Sequence, residues 1–157
     1  MRRLVACLAC TLSVGLAAAA APAGDNWSGH YGLQWLSVAQ AGSRVVLAKA
    51  PDADPGKLVE QYQSDLVRWT IADMRTPTET VSLRRFLAEE YEGFGWAALH
   101  AAGGIECLDA RHLFVCRTTP GTTVKIGRDG PQQESLLAST GVFGIVLHAG
   151  AFELKKE

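Results

Sequence analysis

Hydrophobic and polar positions alternate with a two-residue period near the start of the chain. Tyr31, Leu33 and Trp35 occupy every second position between smaller or polar neighbours, and a β-branched run follows at 44–48. Alternation with this period is typical of a strand that buries one face. Because turn-forming residues at 40–43 separate the two runs, the segment predicts a β-hairpin.

Two longer segments carry apolar residues at helical spacing. The first follows Asp54 and Pro55, a capping residue and a first-turn proline, and continues to about Met74. The second follows the residues TPTE at 76–79, which have the pattern of a capping box, and ends at the glycines 103–104. The stripes that predict these two helices are Leu58, Tyr62, Leu66 and Trp69 in the first, and Leu83, Leu87, Tyr91, Phe94 and Ala98 in the second.

Short strand-like runs separated by turn formers fill the chain from Ile105 onward. The runs are IECL, HLFVCRT, TTVKIG, LLAST, GVFGIVLHA and AFELKK. We expect about four strands, with GVFGIVLHA either a central strand buried on both faces or a buried helix. Because helices and strands do not alternate along the chain, the predicted fold class is α+β. It has an N-terminal β-hairpin, two helices on one face, and an antiparallel sheet.

The first 23 residues have the composition of a secretory signal peptide. Two arginines precede an apolar run over 4–16, and small residues at 21–23 occupy the positions that a signal peptidase reads. The sequence therefore predicts a cleaved signal over 1–23 and a single periplasmic or secreted domain over 24–157. The alternative is an uncleaved membrane anchor, because the apolar stretch is at the short edge of the length that spans a bilayer.

The balance of charge argues against two classes of partner. The chain has 15 Lys and Arg against 16 Asp and Glu, a formal net charge of -1, and no basic block follows the signal. Nucleic acids and anionic membranes attract such blocks, so neither is an expected partner. We expect no stable membrane insertion after signal cleavage, and the composition indicates no particular oligomeric state.

Two cysteines follow the predicted signal, Cys107 and Cys116 in the stretch CLDARHLFVC. An even number of cysteines in an exported protein predicts a disulfide. If the stretch folds as a hairpin about Arg111 and His112, the cysteines face each other in a pair without mutual hydrogen bonds, where antiparallel strands approach closely enough for a disulfide. Because Arg-His is a poor match to two-residue turns, a longer tip with a shifted register is the alternative.

The same stretch contains the candidate catalytic residues. A small envelope hydrolase would use His112 as a base and Asp109 as the group that orients it. No GxSxG turn or HExxH helix accompanies these residues. The spacing of the cysteines does not match a redox motif, and the scattered histidines do not match a zinc site. We therefore expect no metal and no cofactor, and an enzyme is the less favoured class.

The missing catalytic motifs favour a non-enzymatic, disulfide-stapled binding module. Examples are an envelope accessory, an inhibitor or an immunity-type protein, whose partner is another envelope or secreted protein. Arg111 and His112 would form a pre-organised contact surface. Trp96, between Gly95 and two alanines, is expected to protrude from the second helix as a further binding candidate. A further interpretation is a carrier of small apolar ligands, in which the glycines 141 and 144 make room for the ligand.

Overall fold

The computed structural model describes residues 25–36, 42–57, 65–127 and 133–157, which form a mostly-β protein. The described strands are β1 (Gly29–Trp35), β2 (Ser43–Ala50), β3 (Arg68–Asp73), β4 (Thr80–Arg85), β5 (Ile105–Asp109), β6 (Leu113–Thr118), β7 (Thr122–Ile126), β8 (Glu134–Ala138), β9 (Val142–Val146) and β10 (Gly150–Lys156). The described helices are α1 (Ala88–Gly93), α2 (Ala97–Ala101) and a 3-10 turn (Pro55–Lys57).

Eight of these strands close into an antiparallel barrel. Neighbours in the barrel are β1, β2, β3, β4, β5, β6, β9 and β10, and β10 returns to pair with β1. The short helices α1 and α2 are inserted between β4 and β5, while β7 and β8 form a separate two-stranded hairpin between β6 and β9. Closure pairs the backbone groups of the first and last strands of the barrel with each other, so that neither is left as an open edge.

The predicted α+β class is wrong, because segments assigned to long helices form strands. Residues 68–73 and 80–85 are β3 and β4, and only the 3-10 turn, α1 and α2 remain helical in the described ranges. Trp69 lies opposite Leu83 across these two strands, and Thr70 lies opposite Ser82. The apolar residues thus share one face of a sheet, and the β-branched content of both segments suits that conformation.

Several strand predictions are confirmed. The N-terminal hairpin exists as β1 and β2, although residues 37–41, which include the first half of the turn predicted at 40–43, lie outside the described residues. Each of the six late runs contains a strand, so the expected number of four is too low. The run GVFGIVLHA contains β9, and its alternative interpretation as a buried helix is wrong.

Alternation along the strands builds two apolar cores, one inside the barrel and one outside it. Leu108 on β5 and Val115 on β6 lie in the inner core. Their neighbours Cys107 and Cys116 lie in the outer core. The buried residues of the inner core are Trp27, Tyr31, Val45, Leu47, Trp69, Ile71, Leu83, Leu108, Val115, Phe152 and Leu154. The buried residues of the outer core are Phe86, Tyr91, Trp96, Ile105, Cys107, Cys116, Val124, Leu136, Ala138 and Phe143.

The predicted signal peptide, residues 1–23, lies outside the described residues. Within the described ranges, the helices are too short and too polar for any of them to cross a membrane.

Candidate functional site

The connection between β5 and β6 is a two-residue turn formed by Arg111 and His112. The backbone N–H of Ala110 donates to the carbonyl oxygen of Leu113 at 2.8 Å. The hairpin predicted about these residues is therefore confirmed, and the longer tip is wrong. Arg111 has a φ of 68°, and the N–H of His112 donates to the carbonyl oxygen of Ala110 at 2.7 Å, the i→i+2 bond of a γ-turn centred on Arg111. Both side chains are exposed.

The predicted disulfide between Cys107 and Cys116 is confirmed. The two residues face each other, with Cα atoms 4.1 Å apart. The backbone of Cys107 bonds away from β6: its N–H donates to Tyr91 Oη at 2.8 Å, and its carbonyl oxygen accepts from Phe86 N–H at 3.0 Å. The cysteines thus form the expected pair without mutual backbone hydrogen bonds, and both are buried in the outer core.

The carboxylate of Asp109 is used to hold the turn. It accepts from Arg84 Nη2 at 2.9 Å and from the backbone N–H of Arg111. Burial raises the pKa of Asp109, although these donors oppose the increase and the like charge of Glu90 adds to it. No hydrogen bond joins the side chains of Asp109 and His112 within the described ranges, and the Asp109 carboxylate is bound by Arg84 instead.

Arg84 connects Asp109 to a second carboxylate, that of Glu90. Arg84 Nη1 and Nη2 donate to the two oxygens of Glu90 at 2.8 Å and 2.5 Å. Glu90 also accepts from the N–H of Leu87 at 2.7 Å, which caps the first turn of α1. Burial by itself would raise the pKa of Glu90, but the hydrogen bonds from Arg84 and Leu87 outweigh it, so the pKa is lowered.

A polar cleft of about 560 Å³ opens beside the turn on the outer wall of the barrel. Arg84, Asp109 and Glu90 line it, together with Arg111 and Arg68. Arg68 is buried and donates through Nη1 to the backbone carbonyl oxygens of residues 65 and 67. Three guanidinium groups and two carboxylates therefore line one concave surface, with a formal excess of one positive charge.

An apolar groove of about 210 Å³ lies next to the polar cleft and is lined in part by His112. Glu90, Asp109 and Arg111 line both openings. Its rings pack at centroid distances of 5.6 Å between Phe86 and Phe114 and 5.2 Å between Phe94 and Phe114. Leu147, which is 55% exposed, completes the groove. The N–H of Leu147 donates to the carbonyl oxygen of His112 at 2.8 Å, so the β9–β10 turn also supports the hairpin tip.

Trp96 does not protrude, contrary to the expectation from its small neighbours. It is 3% exposed and lies in the outer core, where its Nε1 donates to the carbonyl oxygen of Lys125 on β7 at 2.7 Å. The ring stacks on Phe94 at 4.6 Å. Trp96 therefore joins the short helices to the β7–β8 hairpin and adds no exposed surface beside Arg111 and His112.

The glycines proposed to make room for an apolar ligand have other roles. A Cβ atom at Gly144 would collide with the ring of Phe152 and would lie 2.7 Å from the carbonyl oxygen of Phe114, so the space beside Gly144 is filled by protein. Gly141 has a φ of 79° in the turn before β9, a conformation that favours glycine. The apolar opening lies instead at one mouth of the barrel, between residues such as Trp35 and Val81.

The sequence predicts the turn and the disulfide but not the roles of Arg84 and Glu90 or the presence of the aromatic groove. Glu90 stands three residues after Leu87, the spacing at which a glutamate reaches back to the start of a helix. The apolar stripe through Leu83 and Leu87 predicts one long helix instead, and in that helix position 90 is not near an N-terminus. In the described ranges, no three His, Cys, Asp or Glu side chains gather as a metal site would require.

In the described part of the chain, these elements define a class of fold: a closed, eight-stranded antiparallel β-barrel with an inserted hairpin and the Cys107–Cys116 disulfide. No protein-family model matches the chain, and no curated protein or solved structure is significantly similar to it. A barrel of this kind does not specify a function, so the function follows from the chemistry of the site.

Proposed function

We propose that the protein is an exported, non-enzymatic binding module that holds another envelope or secreted protein with the tip of its β5–β6 hairpin. The observation that carries this proposal is that the turn lies where the polar cleft meets the apolar groove: Arg111 lines both openings, and His112 lines the groove. A partner covering the turn meets charged donors on one side and apolar rings on the other. Protein interfaces commonly combine an apolar centre with a polar rim.

Three contacts hold the turn in place before a partner arrives. The disulfide joins its two strands, the Asp109 carboxylate accepts from the turn backbone, and the N–H of Leu147 donates to the carbonyl oxygen of His112. A surface ordered during folding loses little further conformational entropy on binding. This pre-organisation is the reason for preferring the turn over other exposed loops.

Site-specific photo-crosslinking tests the proposed surface. A photoreactive residue placed at His112 or at Leu147 should give the same cross-linked species when the protein is exposed to periplasmic extract. The control position is Glu134, which is exposed on β8 and lines neither the cleft nor the groove. Adding Arg111→Glu to the chain with the photoreactive residue at His112 should abolish the product, because the substitution reverses the charge at the tip.

Equal cross-linking from Glu134, or a product that survives Arg111→Glu, would overturn the proposed surface. The variants should keep the circular dichroism spectrum of the unmodified protein, because the Arg111 and His112 side chains are exposed.

Export is a separate part of the proposal and rests on the signal-like segment and the disulfide. Intact mass of protein purified from the periplasm tests both. We expect a species that begins at Gly24 and takes up two alkyl groups only after reduction. Retention of residues 1–23, or alkylation without prior reduction, would contradict this part.

A carrier of small apolar ligands is the second candidate, favoured by the open mouth of the barrel. A cavity of about 370 Å³ there is lined mainly by apolar side chains, and Val81 at its rim is 44% exposed. The fluorescence of N-phenyl-1-naphthylamine should rise saturably on binding, and Val81→Arg should remove the signal. A linear rise, equal in both proteins, would exclude this candidate.

A further inference from the structure

The end of the barrel opposite the Arg111–His112 turn contains a second cavity, of about 410 Å³. The segment before β1 closes this end from below, because Trp27 is 5% exposed and belongs to the inner core. Two cationic side chains line the cavity, Arg117 from the end of β6 and Lys156 from the end of β10. Neither Arg84 nor Arg111 reaches this end, so the cavity is separate from the proposed binding surface.

Arg117 reaches into the barrel at this end, where not all of its hydrogen-bond donors have an acceptor among the described residues. Its guanidinium carbon lies 5.4 Å from the centroid of the Trp27 ring. Its Nη1 is buried and has no hydrogen-bond partner within the described ranges. Buried polar groups in native proteins nearly always have a partner, and a bound ion or water molecule commonly supplies it when the protein does not.

Lys156 brings a second positive charge to the same cavity. Its Nζ donates to the carbonyl oxygen of Ser28 at 3.1 Å and lies 5.9 Å from the centroid of the Tyr31 ring. An ammonium group has three donors, so this bond leaves donors for a ligand. The side chain of Asn26 lines the cavity as well and offers an amide.

One carboxylate, that of Asp25, also lines the cavity, but it is engaged elsewhere. It accepts from the backbone N–H groups of Trp27 and Ser28, from the hydroxyl of Ser28 and from Trp69 Nε1. Burial alone would raise the pKa of Asp25, yet these donors outweigh it and lower the pKa to about 2. No ion pair joins Asp25 to Arg117 or Lys156 in the described part of the chain.

We propose that this cavity is an anion site, in which Arg117 and Lys156 bind the oxyanion group, a carboxylate or a phosphate, of a small molecule. The guanidinium supplies paired donors of the geometry that oxyanions prefer. The Trp27 ring holds the guanidinium from one side, and the ammonium of Lys156 approaches from another strand. Such a ligand would give buried Arg117 Nη1 the acceptor that the described residues do not provide.

Titration at constant ionic strength, followed by NMR of the arginine side-chain N–H groups, tests this site. Inorganic phosphate and acetate should each shift the Arg117 resonances saturably, while chloride at the same ionic strength should not. Lys156→Gln should weaken phosphate binding by roughly tenfold, as expected for the loss of one charge-assisted contact. Lys155→Gln is the matched control, because Lys155 is exposed on the same strand and does not line the cavity.

A second titration distinguishes an oxyanion on a small molecule from one on a peptide. If a short acidic peptide shifts the Arg117 resonances at lower concentration than acetate does, the assignment to a small molecule is overturned; the reverse order supports it. Arg117→Gln should abolish binding at the site. Because this variant lacks the arginine resonances, the indole N–H of Trp27 serves as the probe, and circular dichroism checks the fold. Non-saturable shifts, or equal weakening by Lys155→Gln and Lys156→Gln, would overturn the proposal.

Discussion

Two carboxylates share Arg84, and their surroundings shift their pKa values in opposite directions. Glu90 receives both guanidinium nitrogens and the N–H of Leu87, so hydrogen bonds outweigh burial and its pKa falls. Asp109 receives a single bond from Arg84 and feels the charge of Glu90, so burial dominates and its pKa rises. Neutralising each residue should therefore have effects of opposite pH dependence.

Glu90→Gln should destabilise the protein at neutral pH by about 1–2 kcal/mol, because it weakens charge-assisted hydrogen bonds in a partly exposed site. The pKa of Glu90 is lower in the folded state, so its contribution is present above the unfolded pKa and is lost as pH falls through the folded pKa. Urea unfolding at pH 7 and pH 3 measures this difference. Glu89→Gln, at an exposed neighbouring position, should change stability little at either pH.

Asp109→Asn should show the opposite trend. The pKa of Asp109 is raised in the folded state, so its favourable contribution is present below the unfolded pKa and is lost as pH rises through the folded pKa. Relative to the unchanged protein, the variant should therefore become more stable between acidic and neutral pH. Urea unfolding across that pH range compares the free energies of unfolding of the two proteins. A variant that becomes less stable relative to the unchanged protein as the pH rises would contradict the prediction.

At the scale of elements, the β5–β6 hairpin was predictable because its signals are local. The two cysteines fix the register, and Arg111 and His112 fall at the turn by counting alone. The segments 68–73 and 80–85 were not predictable in this way. Their spacing fits a helix, whereas their conformation depends on strands distant in sequence, such as Lys49 on β2 opposite Trp69. Pairing across the barrel overrides a local helical pattern.

The disulfide should contribute about 2–3 kcal/mol to the free energy of unfolding, mainly by restricting the unfolded chain. Reduction should lower the urea midpoint accordingly while the barrel remains folded. The variant with both Cys107→Ala and Cys116→Ala should be less stable than the oxidised protein and insensitive to reductant. A reductant effect that persists in this variant would show that the stabilisation has another origin.

At the scale of the whole molecule, barrel closure could not be read from the sequence. Closure pairs β1 with β10, so that Tyr31 faces Lys156 from the other end of the chain. The division of the core into an inner and an outer layer could not be predicted from the sequence for a related reason. The β5 residues Cys107 and Leu108 are both buried, and a strand buried on both faces shows no alternation. Of the candidate site, the tip was predictable, but the cleft and groove were not, because they form from separate elements.

Tight packing inside the barrel gives a test of the whole fold. Gly144→Ala should destabilise the protein by about 1–3 kcal/mol, because its methyl group would meet the Phe152 ring and the Phe114 carbonyl oxygen. Gly93→Ala is the control, since a Cβ there meets no atom within 4 Å. Thermal unfolding followed by circular dichroism compares the two. Equal melting temperatures would mean that Phe152 does not fill the barrel beside Gly144.

If the hairpin tip is ordered before it binds a partner, backbone ¹⁵N relaxation of the free protein will show a rigid turn. We expect order parameters for Arg111 and His112 near the rigid-backbone value of about 0.85, with a decrease after the disulfide is reduced. Order parameters below about 0.6 in the oxidised protein would instead describe a flexible loop. That result would contradict a pre-organised contact surface at Arg111 and His112.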